Sequence, residues 1–298
     1  MGVQCAVIDD EGRLLLSRRG DLNTWDLPGG RLDWGEDLLE ASAREVAEET
    51  GIIPQIERAV GLYYLQGWNR LNIAFAGWPL GGHLLEKTAE TRANRYFDPL
   101  HLPPMPWNII ALDALAETRH LPRMIETPLH ERRRVKRRLA LRWLTNFLAG
   151  RPEPRFPRFT VQAVALVWED THRRLLTSTT RQGRALPRIL CDGTAAPWLQ
   201  LSRLIQSHTA VYPSFRWVGL WQDIGRGEID LIFATTIEET ERVGDLNWSL
   251  ARNTAFISHE MEYVTRVKSS YHLDAVWFLN HDLRLKPDTI ITAEERTR

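Results

Sequence analysis

Glu45, Glu48 and Glu49 stand at i, i+3 and i+4 in the stretch Ala43-Arg44-Glu45-Val46-Ala47-Glu48-Glu49-Thr50-Gly51. On a helix that spacing brings three carboxylates to one face. Like charges stacked this way repel, and cations collected among them would remove the penalty. An all-oxygen donor set suits Mg2+ or Mn2+. Arg44 adjoins the cluster and can pair with one carboxylate, holding its orientation. Glu36 lies near the start of the same segment and can reach back toward it. Gly29 and Gly30 let the backbone approach metals or phosphates where a side chain would obstruct. Taken alone, a Glu-x-x-Glu-Glu triplet is more often a solvated acidic face.

The surrounding residues change that balance. From Gly30 to Ile52 the chain fits the pattern Gly-x5-Glu-x7-Arg-Glu-U-x-Glu-Glu-x-Gly-U, with U apolar, at every defined position. This segment resembles the signature of the Nudix hydrolases. Trp25-Asp26-Leu27-Pro28-Gly29-Gly30 is similar to that family's strand-to-loop entry. Glu90-Thr91-Arg92-Ala93-Asn94-Arg95-Tyr96-Phe97, with Leu102-Pro103, is similar to its later loop and last strand. About 1–115 is covered. The resemblance implies an α/β/α sandwich that cleaves the diphosphate linkage of a nucleoside diphosphate joined to another moiety, using Mg2+ or Mn2+. It implies Glu45, Glu48 and Glu49 as metal ligands and Gly29 as a position offering a backbone carbonyl. It also implies Glu90 as an extra ligand or general base from a loop. Glu45 or Glu90 would take a proton from water, which then attacks phosphorus in line with the leaving oxygen.

Substrate choice is weakly marked. Where some subfamilies carry a diagnostic Pro or Tyr, this chain has Gly67, Trp68 and Asn69. Motifs marking NADH-cleaving or coenzyme-A-cleaving members are missing. Arg18, Arg31 and Arg70 are candidates to hold phosphates. Trp25, Tyr63, Tyr64 and Trp68 are candidates to stack a base, although strand aromatics more often belong to a core. A different reading is a nucleotide-sensing or partner-binding regulator in which hydrolysis is vestigial.

The elements needed to position these groups are legible. Val3–Asp9 and Arg13–Arg18 read as strands about a turn at Asp10-Glu11-Gly12. Trp25-Asp26-Leu27 reads as a short strand stopped by Pro28-Gly29-Gly30. The spacing of Leu39, Ala43, Val46 and Ala47 predicts a helix over 37–50, closed by Gly51. Val60–Trp68 and Leu71–Trp78 read as a hairpin around Asn69-Arg70. Strands flanking helices in mixed order argue an α/β (α+β) class.

The chain also repeats itself at an offset of 158 residues. Val3-Gln4-Cys5-Ala6-Val7 faces Val161-Gln162-Ala163-Val164-Ala165, Val60-Gly61-Leu62-Tyr63 faces Val218-Gly219-Leu220-Trp221, and Leu71–Ala76 faces Ile229–Ala234. Arg13–Ser17 matches Arg174–Ser178 three residues out of phase. A period this long means a duplicated domain. We therefore expect a catalytic domain over 1–128, a joining helix and Pro-rich linker over 129–155, and a second domain over 156–298. At that offset Glu45, Glu48, Glu49, Gly51 and Glu90 face Arg203, Gln206, Ser207, Thr209 and Trp248. The second copy is thus expected to be degenerate, without metal chemistry. It would serve packing, a pseudo-dimer in place of a homodimer, or recognition.

Between them, Arg132-Arg133-Arg134-Val135-Lys136-Arg137-Arg138 precedes Leu139, Leu141, Trp143, Leu144, Phe147 and Leu148. Such a run can touch RNA, DNA or anionic lipid, but is more often the solvated face of a packed helix. Scattered histidines (His83, His101, His120, His259) lack ligand spacing. Thirty-eight basic and 38 acidic residues cancel, so charge gives no steer toward nucleic acid or membrane. Two cysteines, Cys5 and Cys191, fit reduced thiols and no disulfide scaffold. No 18-residue apolar run or basic signal n-region is present, so a cytoplasmic protein is expected. The small-molecule partner, a nucleoside diphosphate derivative, is what the resemblance implies.

Overall fold

The computed structural model describes residues 1–116, 122–150, 157–238, 245–251, 254–256, 260–269 and 277–280. These divide into two compact units, one from residues 1–116 and 123–150, the other from 159 onward. The expected Pro-rich linker, His120 and His259 lie outside the described residues.

Unit 1 begins with β1 (Gly2–Val7), β2 (Leu14–Arg19), β3 (Trp25–Asp26) and β4 (Gly29–Arg31), then helix α1 (Leu38–Thr50). Strands β5 (Ile52–Gln66), β6 (Arg70–Gly82) and β7 (Thr91–Phe97) follow, then α2 (Asn108–Leu115), β8 (Arg123–Glu126) and α3 (Leu129–Leu148). The main sheet runs β4-β1-β6-β5-β8, with β1 parallel to β6 and β5 parallel to β8. A small antiparallel sheet, β3-β2-β7, stands beside it.

All six residues of β1 are buried, because strands flank it and a helix covers each face. Cys5 points to Ser42 of α1. Ala6 points the other way, into a cluster with Ala74, Ala76, Ile110, Ala111 and Ala114, which brings in α2. The result is helix, sheet, helix, the layering that the family resemblance implies.

Local signals explain the ends of α1. Asp37 accepts from the amides of Leu39 and Glu40, and Glu40 accepts from the Asp37 amide, a closed capping box. Gly51 ends the helix at φ 75°, and a Cβ there would strike the His83 carbonyl.

Three expectations need correction. Gly29 and Gly30 do not merely stop a strand; with Arg31 they pair with β1. The hairpin is longer than expected and turns at Gly67–Asn69, so Arg70 is already in β6. The buried stripe of α1 runs through Leu38, Ala41, Ser42, Glu45, Val46, Glu49 and Thr50. Leu39, Ala43 and Ala47 lie only half-buried at its margin.

Unit 2 contains β9 (Thr160–Glu169), β10 (Arg174–Thr180), β11 (Gly183–Ala185), β12 (Arg188–Leu190) and α4 (Pro197–Thr209). It continues with β13 (Arg216–Asp223), β14 (Glu228–Ile237), β15 (Leu246–Leu250), α5 (Glu260–Ser269) and β16 (Trp277–Asn280). β9 is parallel to β14 and antiparallel to β12, β13 is antiparallel to β14 and parallel to β16, and β10 pairs with β11 and β15. These are the order and directions of the first ten elements of unit 1.

The pairings also refine the repeat. Val3 sits opposite Ile73 and Ala163 opposite Leu231, so β1 and β9 match two residues away from the sequence anchors. The Thr50 hydroxyl donates to Val46 before Gly51, and the Thr209 hydroxyl donates to Ile205 before Ala210, itself at φ 60°. Matched by these caps, Glu45, Glu48, Glu49 and Gly51 face Leu204, Ser207, His208 and Ala210, not the residues a uniform offset gives. Asn94 and Leu246 are both opposite the shared serine of β2 and β10, so the counterpart of Glu90 falls in 239–244, outside the described residues.

Candidate active site

The chemistry-bearing side chains gather where α1 runs behind β4. Glu45 and Glu49 are each only 8 % exposed although both are acidic. Glu90, from the exposed stretch before β7, completes a group in which one oxygen of each carboxylate lies within 4.8 Å of the others. The β4 backbone is aimed at the same place. The Gly29 amide donates to Glu49 Oε2 at 3.1 Å and the Arg31 amide to Glu45 Oε1 at 3.2 Å. A Cβ on Gly30 would occupy the position of the Glu45 carboxylate, and one on Gly29 would strike the Val3 carbonyl and lie 2.7 Å from Gln4 Cα. The two glycines thus permit close approach, and Gly29 meets the cluster through its N–H.

Glu48 is placed differently. Its side chain is 54 % exposed and accepts from Arg44 Nη1 at 3.0 Å. Arg44 is the hub of the outer side. Its Nε and Nη2 form a fork on Glu36 at 3.0 and 2.8 Å, Nη1 also reaches Glu45 at 3.1 Å, and Nη2 reaches the Arg31 carbonyl at 3.1 Å. The fork on Glu36 holds the guanidinium firmly protonated. Glu36 stays below its ordinary range: burial opposes its charge, but Arg44 and the Asp33 amide outweigh it.

Burial pushes Glu49 up to about 8; the Gly29 amide and Arg19 oppose the rise, while Glu45 and Glu90 reinforce it. Glu45 is raised for the same first reason, against the pull of Arg44 and the Arg31 amide.

Residues missed at the sequence level hold the Glu90 segment. Gly20 donates to the Glu90 carbonyl at 2.8 Å, and its hydrogen side chain permits that approach. The Thr91 hydroxyl and Asn94 Nδ2 both donate to the Glu49 carbonyl, at 3.1 and 2.7 Å. The carboxylates from helix and loop are thereby tied together through the backbone. Only Glu90's place near the last strand hinted at this.

Of the expected arginines, Arg70 is near the site, with Nη2 3.4 Å from the Gly30 carbonyl. Burial, with Arg31 and Arg19 beside it, pushes its guanidinium down to about 10. Arg31 is exposed, and partial burial of its guanidinium lowers it. On β2 it is Arg19, unanticipated, rather than Arg18 that neighbours Glu49 and Asp26; Arg19 also forks onto Asp21. Trp68 is half-buried with its indole N–H on Thr127. Trp25 packs edge-on against Phe97, Tyr63 is bonded to Asp113 and Tyr64 to Asn69, so these three are structural. Beside the site, Gln4 bridges buried Asp26 and Asn72, and burial pushes Asp26 up to about 6.

The N-terminal part of the chain is similar to known proteins. A family model described as the NUDIX domain matches residues 1–115. A Bacillus subtilis protein named "Putative 8-oxo-dGTP diphosphatase" is 34 % identical over 102 residues, covering 34 % of this chain and 68 % of that one. An ADP-ribose pyrophosphatase from Methanocaldococcus jannaschii is 37 % identical over 60 residues, covering 19 % of this chain and 36 % of its own. A solved NUDIX hydrolase from Nitrosomonas europaea has 21 % identity and a TM-score of 0.38, covering 42 % of this chain and 78 % of that one. The chain belongs to the Nudix family. Its activity is accordingly that of a Nudix hydrolase, an enzyme acting on phosphoanhydrides.

Proposed function

We propose that Glu45, Glu49 and Glu90, with Glu48 at the rim, hold Mg2+ or Mn2+ and that the chain hydrolyses the diphosphate linkage of a nucleoside diphosphate derivative. The residues fit such ions. Three carboxylate oxygens converge, two of the groups are nearly buried, and without a cation burial, reinforced by the neighbouring carboxylates, drives Glu49 toward its protonated form. When bound, divalent ions supply charge neutralisation of the diphosphate and a more acidic water.

The protein's own groups do the rest. Arg44 fixes the Glu45 carboxylate and keeps Glu48 and Glu36 in one network. Glu45 or Glu90 accepts the proton of the attacking water at a carboxylate oxygen. Arg70 neighbours Glu45 as unlike charge and is suited to hold non-bridging phosphate oxygens. Arg31, whose amide rather than its guanidinium meets Glu45, is a second candidate for that role. Trp68 keeps part of its ring open for a base, which makes it a weaker candidate than the arginines. Arg18 carries the least support, since Arg19 occupies its expected place.

The relatives' names differ in substrate, so they support only the common class, a nucleoside diphosphate joined to another group. Hydrolysis is favoured over a purely sensing role because two buried glutamates beside a third carboxylate are costly to keep without a cation to hold.

We infer further that unit 2 is a degenerate Nudix-like copy. Its topology repeats that of unit 1, while Leu204, Ser207 and His208 replace the three helix glutamates. The domain limits expected from the sequence, a monomer with pseudo-dimeric units or a homodimer, and a cytoplasmic site of action belong to the same proposal. Among the described residues no helix is long and apolar enough to cross a membrane.

The observation that carries the reading is the convergence of Glu45, Glu49 and Glu90. Its test is a panel of diphosphate compounds assayed with Mg2+ or Mn2+ in labelled water. We expect label in a phosphate product and a loss of at least about a hundredfold in Glu49→Gln. Unchanged turnover in that variant refutes the assignment.

A further inference from the structure

The basic run of α3 is not absorbed by the hydrolase site. Six of the seven residues 132–138 are Arg or Lys. Two are committed to unit 1: the Arg132 guanidinium packs over Gly67, and Arg138 donates to the Leu22 carbonyl. With half-buried Val135 they mark the packed side of the helix. Arg133, Arg134, Lys136 and Arg137 are exposed and make no ion pair or hydrogen bond with a described residue. Arg133, Arg134, Arg137 and Arg138, with Leu129 and His130, line an open groove of about 730 Å³.

One turn further on, the same outward face becomes apolar. Arg133, Arg137, Ala140, Leu144 and Phe147 follow at steps of three or four residues, so they share one side of the helix. Phe147 is 66 % exposed and Leu148 75 %, and the Trp143 and Phe147 rings stack at 5.4 Å. A solvated helix has no reason to show water two aromatic rings, Trp143 and Phe147, and two leucines, Leu144 and Leu148, beside its arginines.

The charge pattern selects the occupant. A second copy would bring the same arginines, and Glu131 is the only acidic residue in α3 to answer them. A nucleic-acid duplex would satisfy the arginines but keeps its bases stacked on one another, away from Leu144, Phe147 and Leu148. A bilayer with anionic headgroups presents a phosphate layer and an acyl layer side by side, and a helix of this composition lies at their boundary. We propose that the outward face of α3 is a docking surface for an anionic lipid bilayer. The arginines meet headgroup phosphates, while Trp143, Leu144, Phe147 and Leu148 enter the acyl boundary. The hydrolase site on α1 and β4 takes no part.

The test is co-sedimentation of the full chain with phosphatidylcholine vesicles, with and without about 30 % phosphatidylserine. We expect binding only to the anionic vesicles, weakening as NaCl rises from about 0.1 to about 0.5 M. Arg133→Glu with Arg137→Glu should lower affinity by more than about tenfold. Trp143→Ser with Phe147→Ser should do so by a similar factor, and both double variants should keep the wild-type hydrolysis rate, which reports intact folding. The proposal fails if neither vesicle binds the protein or if both bind it equally. It also fails if duplex DNA binds more tightly and is indifferent to the aromatic changes, or if those changes abolish a dimer instead of lipid binding.

Discussion

Gly30 shows how little room the chemistry leaves at single positions. Its absent side chain is the space that the Glu45 carboxylate occupies. Gly30→Ala should therefore displace that carboxylate while β4 stays paired with β1. We expect kcat to fall by about a hundredfold, since a shift of about 1 Å in a reacting group costs that much, with the far-ultraviolet circular dichroism unchanged. Arg44→Lys is a second residue-scale probe. Lysine keeps the charge but not the fork on Glu36, so it should rescue little of the activity lost in Arg44→Ala. The acidic residues, Arg44 and both glycines were legible in the sequence because their spacing is local. Arg19, Asn94 and the tie between Glu49 and Thr91 were not, because each depends on strands far apart in the chain meeting at one end of α1. Asp26 gives a pH-dependent prediction of known sign. Burial raises it from 3.8 to about 6, so the unfolded chain releases this proton first. Its contribution to stability is greatest below pH 4 and is lost as pH rises toward 6. Relative to Asp26→Asn, wild-type stability should decline across that window; parallel curves of urea midpoint against pH would remove Asp26 as the cause.

At the scale of elements, α1 carries the most information and misled in one respect. The apolar period pointed to Leu39, Ala43 and Ala47 as the inner stripe. The buried positions instead include Glu45 and Glu49, because the face that meets β4 is the working face. Hydropathy gives no sign of a glutamate buried for function, whereas the family signature does. The end of the helix was read from Gly51, whereas Asp37, placed inside the helix, proves to be its cap. Asp37→Ala should cost about 1 kcal/mol in urea unfolding by opening the capping box. Gly51→Ala should cost about 1–3 kcal/mol, because alanine at φ 75° is strained and its Cβ meets the His83 carbonyl. It should also disturb activity more than Asp37→Ala, because Gly51 adjoins Glu49 while Asp37 lies at the opposite end. The long hairpin was under-read for the opposite reason. Pro54, Pro79 and the paired glycines at 81 and 82 look like strand breakers, yet β5 and β6 carry them on a ladder interrupted by register shifts.

For the whole molecule, hydrophobic strand residues suggested the proposed repeat, but a uniform offset does not give the register that the strand pairs and helix caps do. Caps and strand pairs place Leu204, Ser207 and His208 where α1 has its glutamates, and Arg188 beside Val164 where Gly29 lies beside Gln4. An arginine at the glycine position, its charge taken up by buried Glu260 of α5, with no carboxylate on α4, leaves that place without the acidic cluster of unit 1. The two units should therefore respond unequally to divalent ions. Adding Mn2+ at about a hundred times its dissociation constant should stabilise the folded site by about 2.7 kcal/mol through mass action. Hydrogen exchange followed peptide by peptide reads where that stabilisation falls. We expect slowed exchange in peptides from β4, α1 and the start of β7, and no change in α4 or β12. Glu49→Gln should abolish the slowing in unit 1, while Ser207→Ala and His208→Ala should leave both exchange and turnover within about twofold of wild type. Protection of α4 by Mn2+ that persists in Glu49→Gln would show that unit 2 holds metal of its own, and the reading of it as a silent copy would fall.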